Sequence, residues 1–491
     1  MTEEQVTERR KWLSLVLLGA TQFMVVLDVA IVNVALPTIQ QALRFSAESI
    51  QWVSTAYAIT FGGLLLLGGR AADLLGRKRM FMIGLVLFSG ASLACGLSTS
   101  SGLLIAARAL QGIGAAIISP AALSILVTTF KEGAERNKAL GIWGGIAGFG
   151  GVAGVLLGGI LVDSLGWRWI FFINVPVGAL VILAGVRILL ESRIEREVRR
   201  YDVPAAVSVT AGLMVLVYAL VGTIDHGWTS GRSLLLFAVA ALLIVAFLWL
   251  ESRSEEPLLP LSIFRNRTLS GANVVGFLIG AGVFAMFYFL SFYMQQVLGF
   301  SPLRTGLSYL VFGFSVIASA GLGQYLVTRI GIRSVLAAGL LMVAVTMLWY
   351  TRLPVHGTYL WDLLPAFIVG GLGLGFAFVP DAIAALQGVP PERSGVASGL
   401  INTSQQVGGA LGLGLLVTVS TSRTAHLARE ASDPSPDAGL ASVVGGFHQA
   451  FLVGAGLLLV AFVATMIMIR PARMDPTIEA LPEALEAAPA E

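Results

Sequence analysis

Residues 13–36 read LSLVLLGATQFMVVLDVAIVNVAL, an apolar run interrupted by one ionisable side chain, Asp28. A helix needs about 20 apolar residues to cross about 30 Å of hydrocarbon, so this run is long enough to span a bilayer. Thirteen further runs follow, at 51–69, 80–98, 103–128, 138–162, 168–189, 203–222, 233–250, 270–297, 305–327, 334–351, 361–386, 396–420 and 448–469. Of the 491 residues 56% are hydrophobic and 12% charged, with a mean hydropathy of +0.85, far from the make-up of a domain solvated by water. The runs are continuous rather than alternating, so helices and not barrel strands must satisfy the backbone. The expectation is an all-α integral membrane protein of fourteen spans.

Arg9, Arg10 and Lys11 precede the first run, but that run is too long for a cleaved leader and holds Asp28, so it reads as a retained span. Threading the spans from a cytoplasmic amino terminus puts most of the 31 basic residues in cytoplasmic segments and both termini inside the cell. The net charge of +3 then reflects topology and not nucleic-acid binding. The bilayer is the one large partner the sequence asks for, a bacterial inner membrane the expected location and a monomer the expected unit. Cys95 is the lone cysteine and reads as a small core residue. His226, His356, His426 and His448 fall in or beside outer loops without metal-ligand spacing, and no P-loop is present, so neither a metal nor ATP is expected.

Laying Gly76 on Gly331 pairs GGRAADLLGRKRM (68–80) with GQYLVTRIGIRSV (323–335), and the glycine-rich runs at 138–162 and 396–420 recur at nearly the same offset. This suggests a duplication of two six-helix halves, 13–190 and 270–470. Residues 1–12 form a cytoplasmic start. The segment 191–269 holds mixed-charge connectors and two extra spans, 203–222 and 233–250, whose apolar cores lack charge and suit a lipid-facing linker. Leu261, Ile263 and Phe264 beside Arg265 and Arg267 suit a short helix at the headgroups. The Ala, Pro and Glu-rich tail 471–491 cannot bury a core.

Asp28 lies about eight residues, or about 12 Å, from the outer end of its span. A carboxylate at that depth costs a few kcal/mol unless it is protonated, hydrated or paired, which is what a proton carrier needs. Arg108, the lone basic side chain inside a span, has a comparable depth on the fourth helix. Parting or joining the two would couple conformation to protonation. Gln111 extends this group, and Asn33 is the alternative, purely structural partner of Asp28. In the loop after span 2, Gly76 permits a tight turn, and Asp73 can accept N–H groups at another helix start, Ser394 and Gly395 of span 13. Gly150, Gly154 and Gly158 recur every four residues, a smooth stripe whose ordinary use is close helix packing.

Together these segments, with GWRWIFFINVPVG (166–178), FYFLSFYMQQVLGFSPLRTGL (287–307) and GVASGLINTSQQVGGALG (395–412), resemble the major facilitator superfamily, in particular its fourteen-span drug:proton antiporters of the EmrB/QacA type. The resemblance covers nearly the whole chain. It implies two six-helix bundles with two added central helices, protons as coupling ion without any cofactor, and efflux of hydrophobic or amphipathic, often cationic, small molecules. It implies proton coupling at Asp28 and Arg108. Gly69, Arg70, Asp73, Gly76 and Arg77 are implied as the conformational switch. The glycine motif of span 5, Gly141, Gly150, Gly154, Gly158 and Gly159, is implied as an exporter signature. Val155 stands where that motif usually has Pro, and Gln405 where this branch often has Arg.

The substrate route is expected between the halves. Phe284, Phe287, Tyr288, Phe292, Tyr293 and Gln296 offer span 9 an aromatic face with polar tips. Asp381 near the inner end of span 12 is a second acidic candidate, for a cation or a second proton, unless it reaches cytoplasmic water. A dedicated exporter of one metabolite or self-made antibiotic stays open beside a general drug exporter. So, in a different class, does a membrane-embedded enzyme or receptor.

Overall fold

The computed structural model describes residues 3–130, 134–191, 203–254, 257, 259, 261–389, 394–430 and 435–470. The first part of the chain holds α1 (Glu3–Leu43), α2 (Trp52–Leu75), α3 (Arg77–Gly96), α4 (Ser101–Thr129), α5 (Ala134–Ser164), the short α6 (Trp169–Phe172) and α7 (Asn174–Ile188). Then come α8 (Val203–His226) and α9 (Gly231–Arg253), followed by α10 (Arg267–Phe292), α11 (Pro302–Ile330), α12 (Ile332–Tyr350), α13 (Leu364–Leu386), α14 (Ser394–Glu430) and α15 (Pro436–Met468). Among the described residues there is no strand, as expected where backbone groups must bond within their own segment.

Counting α6 and α7 as one crossing, 12 helices among the described residues are long and apolar enough to span a membrane, and Phe149–Ser164 of α5 is a shorter apolar helix. The chain is a multi-pass membrane protein. Of the fourteen expected runs, those in α5 and α14 fall outside the twelve; the middle of α14 reads NTSQQ (402–406), which lowers its hydropathy.

Two glycines organise the halves alike. Gly76 (φ 109°) and Gly331 (φ 86°) are each the single residue between two antiparallel helices, α2 with α3 and α11 with α12. A positive φ is cheap for glycine alone, so the tight turn explains why the alignment at these positions is legible. In the first half α1 packs on α5, and α4 on α2 and α3; in the second α10 packs on α14, and α13 on α11 and α12. The halves meet where α5 lies against α11 and α2 against α14.

At the end that carries Arg44 the halves are tied together. Gln295 Nε2 donates to Val34 O at 2.7 Å, Gln296 Nε2 to Gln40 Oε1 at 2.9 Å, and the Tyr288 hydroxyl to Ala47 O at 3.4 Å. At the same end α14 and α15 run well past the expected spans, so 421–430 and 436–447 are helix where loop was expected. Pro436 at the start of α15 and the Ser435 hydroxyl accepting from Ala438 N at 3.3 Å explain the earlier start.

The extra pair differs from the expectation of a lipid-facing linker. α9 is mostly exposed and packs on α8, as lipid contact requires, but α8 packs against both α2 and α14. Val217 of α8 is buried with Ala58, Ile59 and Ala410, so α8 is wedged at the junction of the halves. Leu261–Arg265 forms a 3-10 turn, in which Ile263 is buried with Leu269, Ala397 and Leu400 while Phe264 is exposed. The tail 471–491 and connector residues 192–202 lie outside the described residues.

Candidate functional site

Four helices bring polar side chains to one buried point, and a fifth, α2, adds a backbone carbonyl and an aromatic ring. Arg108 Nη1 of α4 donates to Asp28 Oδ2 of α1 at 2.5 Å and to Gln111 Oε1 at 2.7 Å. Gln111 Nε2 donates to Asp28 Oδ1 at 2.7 Å and to Ser92 Oγ of α3 at 2.7 Å. Asn174 Nδ2 of α7 donates to Asp28 Oδ1 at 2.9 Å. Arg108 Nε donates to Val53 O of α2 at 2.9 Å, and its guanidinium lies 4.3 Å from the centroid of the Tyr57 ring. Asp28, Ser92 and Gln111 are 0% exposed, Arg108 and Asn174 1%.

A buried ion pair offsets its desolvation only when its remaining donors and acceptors are met, and here both carboxylate oxygens are. Asp28 and Arg108 are brought together as their matched depths suggested, and Gln111 joins them. Asn33 is not among Asp28's partners; five residues along a helix of 3.6 per turn, it points elsewhere. Asn174 and Ser92 escaped the sequence reading. Asn174 belongs to the quoted stretch 166–178, where a polar residue amid apolar ones was the available signal.

Two opposite charges and three polar side chains, closed to solvent, are thus spread over four helices of one half, so their distances depend on how those helices sit. The profile of the Major Facilitator Superfamily matches residues 18–413, four-fifths of the chain.

The chain belongs to the major facilitator superfamily.

It is 40% identical over 469 residues to the puromycin resistance protein pur8 of Streptomyces alboniger, covering 95% of this chain and 92% of that one. With the cephamycin export protein CmcT of Amycolatopsis lactamdurans it shares 38% over 434 residues, 87% of this chain and 88% of the relative. Among solved structures, an auto-inhibited POT family peptide transporter superposes with a TM-score of 0.68 at 16% identity, covering 95% of this chain and 98% of that one. A bacterial homologue of the lysosomal transporter Spinster, inward-facing and unoccupied, gives 0.65 at 16%, covering 95% and 99%. At that identity the likeness is one of fold. The superfamily is one of transporters, so the chain is not an enzyme.

Of the residues expected as the conformational switch, Gly69 and Arg70 lie within α2, Gly76 is the turn itself and Arg77 opens α3. The side chain of Asp73, and those of Ser394 and Gly395 as its expected counterpart, lie outside the described residues. What occupies the start of α3 is Glu191: its carboxylate accepts from the backbone N–H of Lys78 at 3.1 Å and of Arg79 at 3.0 Å, a capping arrangement for an acid at a helix start. Lys78 Nζ in turn donates to Val186 O at 2.8 Å and Leu189 O at 2.9 Å at the end of α7, where Arg10 Nε donates to Ile188 O at 2.7 Å. Cations at a helix C-terminus satisfy its free carbonyls.

The glycines of α5 divide into two faces. A methyl group built on Gly150, Gly154 or Gly158 would meet α1: Phe23 O at 3.3 Å, Ala30 Cβ at 2.7 Å and Ile31 Cγ1 at 3.0 Å respectively. On the other face Gly159 lies on Pro302 and Leu303 of α11, and the Val155 carbonyl lies on Gly306. Thus α5 is clamped between the Asp28 helix and the opposite half. At Gly141 only the helix itself is described.

Most of the expected aromatic lining is packed away. Tyr288 and Phe292 pack against each other with tilted rings 4.7 Å apart, the Tyr293 hydroxyl donates to Pro354 O at 2.7 Å, and Gln296 is exposed on Gln40, all at the closed Arg44 end. Phe284 and Phe287 remain half-buried, Phe287 against Tyr309 and Phe312. Asp381 does not reach water: it is 0% exposed.

Proposed function

We propose that this protein is a proton-coupled exporter of hydrophobic or amphipathic antibiotics and drugs, working by alternating access in a bacterial inner membrane. The substrate class is supported by the relatives, whose names are those of resistance and export proteins for puromycin, cephamycin and tetracenomycin. The observation that carries the coupling is the buried Asp28–Arg108 pair with its three polar partners. In the fold as described, Arg108 is the cation that balances Asp28. When α1 and α4 separate, a proton takes the place of the guanidinium and leaves again when they rejoin, so proton uptake is tied to helix position. No cofactor enters this cycle.

The same reading has fourteen spans, with α5 and α14 crossing alongside the twelve. Their extensive contacts with α1, α11, α2 and α10 support this. It places the Gly76 end and both termini in the cytoplasm, on the basic residues clustered there. Closure at the Arg44 end then corresponds to the conformation that loads from inside, with Phe284 and Phe287 on the route. The bundles 13–190 and 270–470 rock about the α5–α11 and α2–α14 seams. A dedicated exporter of a single antibiotic is the second reading, favoured by the relatives named for one compound each.

Transport in proteoliposomes with an imposed pH gradient tests this, using lipophilic cations, puromycin and a cephamycin. Wild type accumulates at least one of them only with the gradient, and Asp28→Asn abolishes that accumulation while inserting normally. Full gradient-driven transport by Asp28→Asn removes Asp28 from the mechanism.

A further inference from the structure

Asp381 of α13 is completely buried, and neither carboxyl oxygen has a hydrogen-bond partner among the described residues. Its surroundings are tight. A methyl group built on Gly276 of α10 would stand 2.9 Å from Asp381 Oδ2, 2.6 Å from Ile401 Cδ1 and 3.4 Å from Gln405 Cγ, the last two on α14. Gln405 is the polar side chain beside the carboxyl, and it is neutral. The charged residues and the histidine of the helices packed on α13 stand towards helix ends: Arg267 on α10, Arg304 and Arg329 on α11, Arg333 on α12, and Arg423, His426, Arg429 and Glu430 on α14. A carboxylate in such a place, with no cation beside it and the neutral Gln405 amide as its polar neighbour, is costly to keep charged.

We infer that Asp381 is a second proton-binding site, in the half of the molecule that lacks Asp28, and that its carboxyl carries a proton in this conformation. A proton is the cation that fits best, because it needs no further ligands and α10 lies close against the carboxyl at Gly276. The site is built to open. Pro380, the preceding residue, removes a backbone N–H inside α13, six residues before its end, and gives the helix a bending point there. Beyond Gln405, towards the Gly331 end, the Ser404 hydroxyl donates to Asn273 Oδ1 at 2.9 Å, a polar step between the carboxyl and that end of the bundle. When α10 and α14 draw away from α13, the O–H bond breaks, the proton passes to water at that end, and the carboxylate is left hydrated. The proton count of the cycle is then two, one per half, a statement that rests on the antiport reading above; protonation of Asp381 does not.

Two measurements on the full-length protein in liposomes separate these. In hydrogen–deuterium difference infrared spectra at neutral pH, the C=O band of a protonated carboxylic acid is expected in wild type. It should persist in Asp28→Asn and vanish in Asp381→Asn. It should vanish as well in Gln405→Arg, which supplies the missing countercharge without touching Asp381 and so guards against a misfolded Asn variant. In gradient-driven transport, losing one proton per cycle lowers the limiting accumulation by about tenfold for each unit of pH gradient. Asp381→Asn should therefore keep transport with that shallower dependence. An infrared band that survives both variants overturns the inference, as does an unchanged dependence on the gradient. Transport by wild type without any gradient sinks the antiport reading alone, since the infrared result still decides Asp381.

Discussion

The two halves repeat each other in helix packing, and among the described residues each buries one acidic residue, but they treat it in opposite ways. Asp28 receives three donors from α4 and α7, one of them a guanidinium. Asp381 has no such cage among the described residues, and only the neutral Gln405 amide stands beside it. The difference teaches that the duplicated scaffold fixes where helices touch and leaves the charge content of each interior free to diverge. One acid is balanced from within the protein, and the other, in the reading above, by a proton.

Breaking the balanced half should have the largest effect. Arg108→Gln leaves Asp28 buried without its cation, which costs about 3–5 kcal/mol. The expected outcome is a marked loss of thermal stability in detergent and loss of gradient-driven transport. The double variant Asp28→Asn with Arg108→Gln removes both charges, so stability should largely return while coupling does not. If Arg108→Gln unfolds at the wild-type temperature, the pair is not what balances Asp28. Asp381→Asn, in contrast, removes no partner from anything and should leave thermal stability close to wild type.

The next effect comes from α5, the element that links the balanced half to its neighbour. Gly154→Val pushes a side chain into Leu27 and Ala30, beside Asp28, and overpacking of this kind costs about 1–3 kcal/mol. Transport should fall by an amount that Gly151→Val does not reproduce, because nothing stands within 4 Å of a Cβ at Gly151. Equal effects of the two would mean that general helix strain, and not the α1 contact, explains the stripe.

How much of this was legible in the sequence follows from what each feature depends on. Span positions depend on local hydropathy: the run at 103–128 matches α4 nearly whole, and the run at 13–36 matches the middle of α1, which extends to Glu3 and Leu43. The turns at Gly76 and Gly331 depend on one residue's freedom at positive φ, so they too are readable. Matching Asp28 to Arg108 required only depth along two helices. Rotation about the helix axis was not readable in that way, which is why the packing of Tyr288, Phe292 and Tyr293 and the wedge formed by α8 came from tertiary contacts. The burial of Asp381 is of the same kind: five residues from a helix end, its distance to water is set by α10 and α14 and not by its own position in the chain.

The smallest expected effects discriminate between Asn33 and Asn174. Both are asparagines in apolar surroundings, and sequence proximity favours Asn33, which shares a helix with Asp28. Geometry favours Asn174, whose amide donates to Asp28 Oδ1 at 2.9 Å from a helix 146 residues away in the chain. A hydrogen bond to a charged group is worth about 1.5–3 kcal/mol, so Asn174→Ala should lower thermal stability and weaken gradient-driven transport by roughly tenfold or more. Ser92 and Gln111 remain to hold the rest of the network, so the loss should stay below that of Arg108→Gln. Asn33→Ala should leave both measurements close to wild type, since its side chain holds no part of the Asp28 cage. The reverse order of effects would mean that the acid meets its partners from α1 during the working cycle, and that the cage formed by α4 and α7 belongs to a resting state.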